Sequence, residues 1–452
     1  NSDHRLTGPL VQTEAGLEPA SWSAALRAAA TLITDSLEAG GPGSIGLLGG
    51  ARGSNEDAFA WAQLADAIGL SHRDAQVGDG LPAGILGLDR ATIDDAANAA
   101  TVILLGPDLK EELPVLYLRL RDAAEKKRTR IIELSTFDTG MSPYAWTSVR
   151  YEPGAQQEAA AKLLADADIA EQVASGDVVI VAGRPNLAES AEATVAALQT
   201  LLDGCPDATV LPALRRGNVV GALSLGMAPA DDDHDGLATL RAAADGKLEL
   251  LVLLGADPLN DCPDADLARR AIAGARRVLA IDTFPCESAQ HADVVLAASA
   301  YGEKAGTTTN LEGRVTTLAQ QVTATGTSRP DWMIAVELGL MIGEHSFGAD
   351  HPLRGVSTVD DVTELIASTV TAFAPATTEA LAAAADGVLT SGERSTMPSV
   401  SFSAPGRNRY DYRLVVSRKL YDRAVGTQMS RSLVKLAPGS AVHVHPLDLD
   451  NL

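Results

Sequence analysis

Short apolar runs alternate with helical stretches along most of this chain. Residues 102–105 form one such run, an amphipathic stretch covers residues 113–127, and a second apolar run follows at residues 130–134. Strands that are apolar throughout are typical of parallel sheets, and each parallel pair needs a crossover connection, usually a helix. The pattern therefore predicts an open, mostly parallel sheet with helices on both faces, that is, an α/β fold.

The same alternation extends from about residue 21 to residue 297. The predicted helices cover residues 21–37, 55–68, 113–127, 158–164 and 187–202, and the predicted strands cover residues 45–48, 102–105, 130–134, 178–182, 248–254, 277–282 and 293–297. We expect residues 1–150 and 151–355 to form two interleaved α/β domains, and residues 356–410 to form a helix and a linker.

The character of the sequence changes after residue 410. Apolar runs at residues 414–417 and 441–444, separated by turn residues, predict strands, so residues 411–452 are expected to begin a β domain. A few strands cannot bury a face by themselves. Because the chain also begins at Asn1 rather than at methionine, we expect it to be a fragment of a longer protein.

Composition excludes several classes of function. A net charge of −23 argues against nucleic acid as a partner, since phosphate backbones need neutralising cations. The apolar runs are far shorter than the roughly 20 residues that span a bilayer, so any membrane association is expected to pass through another subunit. The three cysteines contain no C-x-x-C pair, which argues against a disulfide scaffold, a structural zinc or a four-cysteine cluster.

Glycines and polar residues follow several of the predicted strands between residues 253 and 315. Residues 255–258 read Gly-Ala-Asp-Pro, residues 282–284 read Asp-Thr-Phe, and residues 302–315 form a polar stretch that includes Asn310. Such strand ends place backbone N–H groups at the crevice where open α/β sheets bind nucleotide-like ligands. Taken alone, residues 255–258 are more typical of an ordinary connection between a strand and the loop that follows it.

In this order and spacing, the segments resemble the molybdopterin oxidoreductase family. That family includes formate dehydrogenases, nitrate reductases and the large iron–sulfur subunit of bacterial NADH-quinone oxidoreductase. Further stretches that carry the resemblance are residues 5–7, 21–26, 151–154 and 217–222. The resemblance implies parallel α/β domains of the formate dehydrogenase/DMSO reductase type, with residues 414–452 as the start of a pterin-binding β-barrel.

Active members of the family hold molybdenum or tungsten between two pterin dithiolenes and usually one protein ligand. In this chain the ligand position falls near Gly80, which has no side chain to offer a metal. Asp79 is an alternative oxygen ligand, but an ordinary turn with its neighbouring glycines is the preferred interpretation. The resemblance thus implies a degenerate pocket without metal or catalytic residues, near the following positions: Asp79, Gly80, Gly255, Asp257 and Asn310.

The sequences of residues 49–53 and 78–82 resemble that of the large iron–sulfur subunit rather than those of the catalytic enzymes. This implies a structural segment of a proton-translocating NADH:quinone oxidoreductase (complex I). Its expected partners are the flavin/NADH-binding and iron–sulfur subunits of the peripheral arm, on the cytoplasmic side of the plasma membrane. The 2Fe-2S and 4Fe-4S clusters are expected in a missing N-terminal part, before Asn1.

Two other functions stay open at this point. One is an active molybdopterin-dependent oxidoreductase, such as a formate-dehydrogenase-like subunit. The other is a plain nucleotide-binding α/β module that uses the loops at Gly106 and Gly255.

Two acidic or histidine-containing stretches could hold metal ions. Residues 231–235 contain four aspartates and His234, which suits a hard cation, although consecutive acids on a loop usually face water. His443 and His445 would project to the same face of a strand, but no third ligand is visible. A solvated loop and a strand without metal are the preferred interpretations.

Arg215 and Arg216 precede Gly217 and could hold a phosphate, with a surface ion pair as the preferred alternative. Cys286 is expected to pack in the interior as a small apolar residue.

Overall fold

The computed structural model describes residues 4–343, 346–392, 400, 402–408, 411–422, 424–437 and 439–449. The strands are β1 (Leu10–Thr13), β2 (Gly16–Pro19), β3 (Ile45–Gly49), β4 (His72–Asp74), β5 (Thr101–Leu105), β6 (Arg130–Ser135), β7 (Thr147–Arg150), β8 (Val178–Gly183), β9 (Thr209–Ala213), β10 (Leu250–Leu254), β11 (Val278–Asp282), β12 (Val294–Ala297), β13 (Gly306–Thr309), β14 (Arg314–Leu318) and β15 (Val388–Leu389).

The helices are α1 (Trp22–Gly40), α2 (Asn55–Ala67), α3 (Ile93–Asn98), α4 (Leu109–Glu112), α5 (Pro114–Glu125), α6 (Gln156–Leu164), α7 (Ala167–Ala174), α8 (Ala191–Gly204), α9 (Val219–Ala222), α10 (Gly236–Ala244), α11 (Pro258–Asp261), α12 (Ala265–Gly274), α13 (Asp331–Ile342), α14 (Val359–Thr369), α15 (Thr378–Ala383) and α16 (Val425–Gln428).

Two large sheets organise the molecule. Sheet A has seven strands in the order β2-β1-β12-β11-β10-β3-β4, of which the last five are parallel and the β1-β2 hairpin is antiparallel. Sheet B has five strands in the order β7-β6-β5-β8-β9, all parallel. A small antiparallel sheet contains β13, β14 and β15. This arrangement confirms the predicted α/β class with mostly parallel sheets.

The two large sheets are interleaved along the chain. Residues 1–150 supply β1 to β4 of sheet A and β5 to β7 of sheet B, and residues 151–355 supply β8 and β9 of sheet B and β10 to β12 of sheet A. All of sheet B is therefore inserted between two parts of sheet A.

Burial explains why the short apolar runs form central strands. Every residue of β5 and of β10 is buried, as expected for strands covered by helices on both faces. The helices begin where side-chain caps are available: Ser21 accepts a hydrogen bond from Ala24 N at the start of α1, and Ser54 forms a capping box with Asp57 at the start of α2.

The C-terminal region differs from its prediction. Among the described residues beyond Leu389 the chain forms no strand, so the strands expected at 414–417 and 441–444 are not present. Instead, Val416 exchanges hydrogen bonds with a loop: its N–H donates to Asn186 Oδ1 (2.9 Å), and its carbonyl accepts from Leu187 N (3.0 Å). Extended backbone here finds its partners in a loop, so no second strand is needed.

In the part of the chain that is described, no helix combines the length and the apolar composition required to cross a bilayer.

Candidate functional site: the crevice between the two sheets

Each large sheet has one point where the strand order reverses direction. In sheet A this point lies between β3 and β10, and in sheet B it lies between β5 and β8. Ligands of open α/β sheets bind outside the carboxyl ends of the strands at such points. The loop of residues 75–81, which follows β4 of sheet A, contacts Arg184, just after β8 of sheet B.

An ion pair bridges the strand ends of sheet A. Arg52, just after β3, donates two hydrogen bonds of 2.7 Å to the carboxylate of Asp261 and a third, of 2.9 Å, to the carbonyl of Gly255. Burial alone would raise the pKa of Asp261, but the Arg52 guanidinium lowers that pKa to about 2. The Asp261 carboxylate therefore stays charged and holds Arg52 across the crevice.

The Gln76 side chain fills the space beside residue 80. The side-chain Nε2 of Gln76 donates to the carbonyl of Leu81 (2.8 Å), and this hydrogen bond folds the Gln76 side chain over the loop. A Cβ atom on residue 80 would lie 1.4 Å from Gln76 Oε1, which is far inside van der Waals contact. Gly80 is thus both without a side chain and packed against a buried neighbour.

Three arginines converge on the carboxylate of Asp79. Arg216 Nη1 lies 2.8 Å from Asp79 Oδ1, Arg418 Nη2 lies 3.3 Å from Oδ2, and Arg215 Nη1 lies 3.6 Å from Oδ2. The Asp79 side chain is 1% exposed, and that of Arg216 is 5% exposed. Burial opposes the charge, but Arg216 and Arg418 hold the pKa of Asp79 well below its usual range.

These contacts change two sequence interpretations. Asp79 does bond within its loop, accepting from Val77 N at 3.4 Å, but its main partners are distant arginines, so an ordinary turn is an incomplete description. Arg215 and Arg216 do form ion pairs with Asp79, but these pairs are buried and not at the surface as expected.

Arg184 ties the same loop to sheet B. It follows β8 and donates to the carbonyl of Gly80 at 3.1 Å and to that of Gly78 at 3.4 Å. It also donates to the carbonyl of Glu189. The loop backbone is therefore held by sheet B while the Asp79 side chain is held by Arg216.

A cavity of about 400 Å³ opens beside the Asp79 cluster. The three arginines line it together with Asn310, Glu112 and Asp422, among other residues. Burial raises the pKa of Glu112 to about 7. Three nitrogen atoms of the arginines find no hydrogen-bond partner among the described residues, namely Arg215 Nη1, Arg216 Nη2 and Arg418 Nε.

Asp257 and Asn310, both expected in the pocket, use their polar atoms to shape local structure. Asp257 Oδ1 accepts from the backbone and hydroxyl of Ser288, at 3.1 and 2.5 Å. Asn310 Oδ1 accepts from the amides of Glu312 and Arg314, which forms the turn between β13 and β14. Asn310 also lines the cavity, whereas Asp257 is 2% exposed.

The polar stretch at residues 302–315 packs against α2. Lys304 Nζ donates to Asp57 at 2.5 Å and to Asp331 at 2.9 Å, and its side chain is 3% exposed. The neighbouring Glu56 accepts from the hydroxyls of Thr307 (2.6 Å) and Thr363 (2.9 Å). This stretch therefore supports the start of α2, next to the crevice.

The other candidate sites remain structural. Asp231 lies on an exposed loop and accepts from Asp233 N and pairs with His234, while Asp235 caps α10. His443 and His445 are exposed and not on a strand. Among the described residues, no group of three or more His, Cys, Asp or Glu side chains is placed to hold a metal ion.

Cys286 is 1% exposed, which confirms its expected packing in the interior, and burial raises the pKa of its thiol.

Several residues of the crevice were missed from sequence, among them Arg184, Asp261 and Arg418. Arg418 lies 339 positions from Asp79, in a segment that was expected to form a barrel strand. Arg184 lies in the loop after β8, for which the sequence pattern predicted no functional role. A cation directly after a parallel strand, as Arg184 is, could have signalled the crevice. Nothing in the local sequence signals Arg418.

The residues at the ligand position implied by the resemblance do not fit a molybdenum or tungsten ion. Residue 80 offers no side-chain donor atom, and the Gln76 side chain lies where a Cβ on residue 80 would be. Both oxygens of Asp79 face guanidinium groups, which compete with any metal for the same lone pairs.

Known proteins are similar over most of the chain. The alpha subunit of the NADPH-Fe(3+) oxidoreductase of Geobacter sulfurreducens is 26% identical, over 100% of this chain and 61% of that protein. A subunit of the NADH-quinone oxidoreductase of Streptomyces coelicolor is 31% identical, over 69% of this chain and 43% of its own length. This chain thus spans less than two thirds of either relative.

A solved structure shares the fold. The acetylene hydratase of Pelobacter acetylenicus superposes with a TM-score of 0.55 at 13% sequence identity, covering 79% of this chain and 64% of that one. The model of the family described as molybdopterin oxidoreductase matches residues 5–340. With that match over most of its length, this chain belongs to the molybdopterin oxidoreductase family.

Proposed function

We propose that this chain is a metal-free, structural segment of a subunit that resembles the large iron–sulfur subunit of NADH-quinone oxidoreductase. The observation that carries the proposal is the Asp79-Gly80 loop. Gly80 has no side chain, the Gln76 side chain lies where a Cβ on residue 80 would be, and arginines bind the Asp79 carboxylate. A molybdenum-dependent reaction needs a coordination position that these residues do not provide.

The role proposed for the segment is assembly. Its relatives include a subunit of the NADH-quinone oxidoreductase, an enzyme built from several subunits. In the whole protein the electron relay from NADH to quinone, coupled to proton translocation, would run through iron–sulfur clusters outside residues 1–452. The segment would dock with the flavin/NADH-binding and iron–sulfur subunits, at the cytoplasmic face of a membrane complex.

Purification of the native assembly tests this role. The protein is tagged in its own organism, and the subunits that co-purify in stoichiometric amounts are identified by mass spectrometry. Flavin- and iron–sulfur-binding subunits, together with NADH-dependent quinone reduction, are the expected result. A protein that purifies alone, or with subunits of another kind of enzyme, would contradict the proposal.

A second candidate is an active molybdopterin-dependent oxidoreductase, such as a formate-dehydrogenase-like subunit. The observation that favours it is the similarity to a putative formate dehydrogenase of Bacillus subtilis, which is 25% identical over 84% of this chain and 47% of that protein. Its test is reduction of an artificial dye by the purified protein with formate as donor. Formate-dependent turnover supports this candidate and contradicts the first.

A further inference from the structure

The Asp79 cluster has more positive than negative charge at its centre. One buried carboxylate meets three guanidinium groups, from Arg215, Arg216 and Arg418. Asp422, at the rim, pairs with Arg215 (2.6 Å) and lies 3.5 Å from Arg418. Asp261, which is bound mainly by Arg52, lies 4.0 Å from Arg216 Nη2. Convergent guanidinium groups of this kind are the usual recognition element for carboxylate and phosphate.

Donor capacity is left over in the cluster. Arg215 Nη1, Arg216 Nη2 and Arg418 Nε bond to none of the described residues, although they are shielded from solvent. Buried donors without partners carry a free-energy cost, so proteins normally satisfy them. The arginines also line the cavity of about 400 Å³, so a larger anion can reach them once the Asp79 carboxylate is removed.

The three arginines also come from separated parts of the fold. Arg215 and Arg216 follow β9 of sheet B, whereas Arg418 belongs to the C-terminal segment of residues 411–422. Asp79 lies on the loop after β4 of sheet A. A single carboxylate therefore joins sheet A, sheet B and the C-terminal segment, and each arginine would repel the others without it.

We propose that Asp79 is a built-in anion that occupies an arginine site for phosphate-like oxyanions and thereby holds the two sheets and the C-terminal segment together. This inference rests on the proposed function, because the crevice must be free of pterin. Removal of the carboxylate should then expose a latent oxyanion site, which wild-type protein does not offer.

The test compares Asp79→Ala and Asp79→Asn with wild type in chloride buffer and in inorganic phosphate at constant ionic strength. In chloride both variants should lose about 5 °C or more in Tm, because the arginines are left uncompensated. Phosphate should restore much of that loss in both variants and have little effect on wild type. Calorimetry should detect phosphate binding to Asp79→Ala and none to wild type.

Asp57→Asn is the matched control. Its carboxylate is equally buried, at 1% exposure, but its charged partner is Lys304 and no arginine. This variant should lose stability without a specific recovery in phosphate. Equal phosphate effects on all the proteins, or Asp79 variants as stable as wild type, would overturn the inference.

Failure of both Asp79 variants to fold in chloride does not end the test. The yield of soluble Asp79 variant is then compared after extraction and purification in phosphate and in chloride. A higher yield in phosphate is expected. Equal loss in the two buffers contradicts the inference. Failure of the proposed function looks different: stoichiometric pterin in wild type would remove its premise. Pterin-free protein with variants indifferent to phosphate would overturn this inference alone.

Discussion

Two clusters of buried charge lie beside the crevice, and their excess charges are opposite. At Lys304 one ammonium group meets the carboxylates of Asp57 and Asp331, whereas at Asp79 one carboxylate meets three guanidinium groups. The Lys304 cluster lies against α2 and α13, and backbone amides of Ser54 and Trp332 also donate to Asp57. The second negative charge of this cluster is therefore stabilised by backbone N–H groups of the fold.

The Asp79 cluster is supported differently. It joins both sheets and the C-terminal segment, and several of its nitrogen donors find no bond within the part of the chain described. The contrast indicates that the Lys304 cluster is part of the fold's own framework. The Asp79 cluster stands where a family ligand would be expected, and there the chain supplies its own carboxylate.

Removal of the single cation at Lys304 should lower the free energy of unfolding more than any other substitution considered for the two clusters. Lys304→Met leaves Asp57 and Asp331 buried without their ammonium partner, so we expect the free energy of unfolding to fall by about 3–5 kcal/mol. Denaturant titration followed by circular dichroism measures it. Lys247→Met is the control, because that side chain is 69% exposed and pairs with an exposed aspartate. A loss no larger than the control's would show that the triad contributes little.

Asp74, five residues before Asp79, gives the pH dependence that sharpens the contrast. Its hydrogen bonds come from the amides of Gln76 and Gly236, and burial raises its pKa to about 7. A folded pKa above the ordinary value of about 4 means that the folded state retains a proton that the unfolded chain releases. Its contribution to stability is therefore full below about pH 4 and is lost as the pH rises toward about 7.

Asp74→Asn removes this titration. Between about pH 5 and about pH 7, its free energy of unfolding should fall less steeply than that of wild type, by up to about 1.4 kcal/mol per pH unit. Urea titrations across the pH range measure the two slopes, with Asp245→Asn, at an exposed site, as the control. Parallel slopes for Asp74→Asn and wild type would contradict the raised pKa of Asp74.

The pKa of Asp79 is shifted in the opposite direction. The contribution of Asp79 to the free energy of unfolding should therefore be lost when the pH falls below about 4.

Much of the fold, and less of the site, could be predicted from sequence. The apolar runs of β5 and β10 and the cap of α1 are local signals, and the observed bounds agree with them to within a few residues. That Gly80 offers no side chain is read from residue identity alone, whereas its place at the family's ligand position stays a prediction from the resemblance. The arginines around Asp79 were not, since Arg418 is 339 positions away and is held by tertiary contacts.

The C-terminal segment shows the same limit. Apolar alternation at residues 414–417 predicted a strand, but a strand needs a partner, and here the loop at Asn186 supplies the hydrogen bonds instead. Pairing partners are a tertiary property that a local pattern does not contain.

A smaller effect is expected from the missing space at residue 80. Gly80→Ala must displace the buried Gln76 side chain, because the new Cβ would lie 1.4 Å from its Oε1, and we expect a loss of about 1–3 kcal/mol. Gly217→Ala, at a position that lines the cavity but where a Cβ meets nothing within 4 Å, should be nearly neutral. The two variants are compared by thermal unfolding. Equal stability of the two would mean that the loop can accept a side chain, and with it a ligand.

Analysis of the purified native protein for molybdenum, tungsten and pterin tests the absence of a metal most directly. Elemental analysis by mass spectrometry measures the metals, and fluorescence after oxidative release measures the pterin. We expect trace amounts of both, far below one equivalent per chain, because the Asp79-Gly80 loop offers no free ligand. Stoichiometric metal together with pterin would contradict the proposal that the chain's own charges fill this crevice.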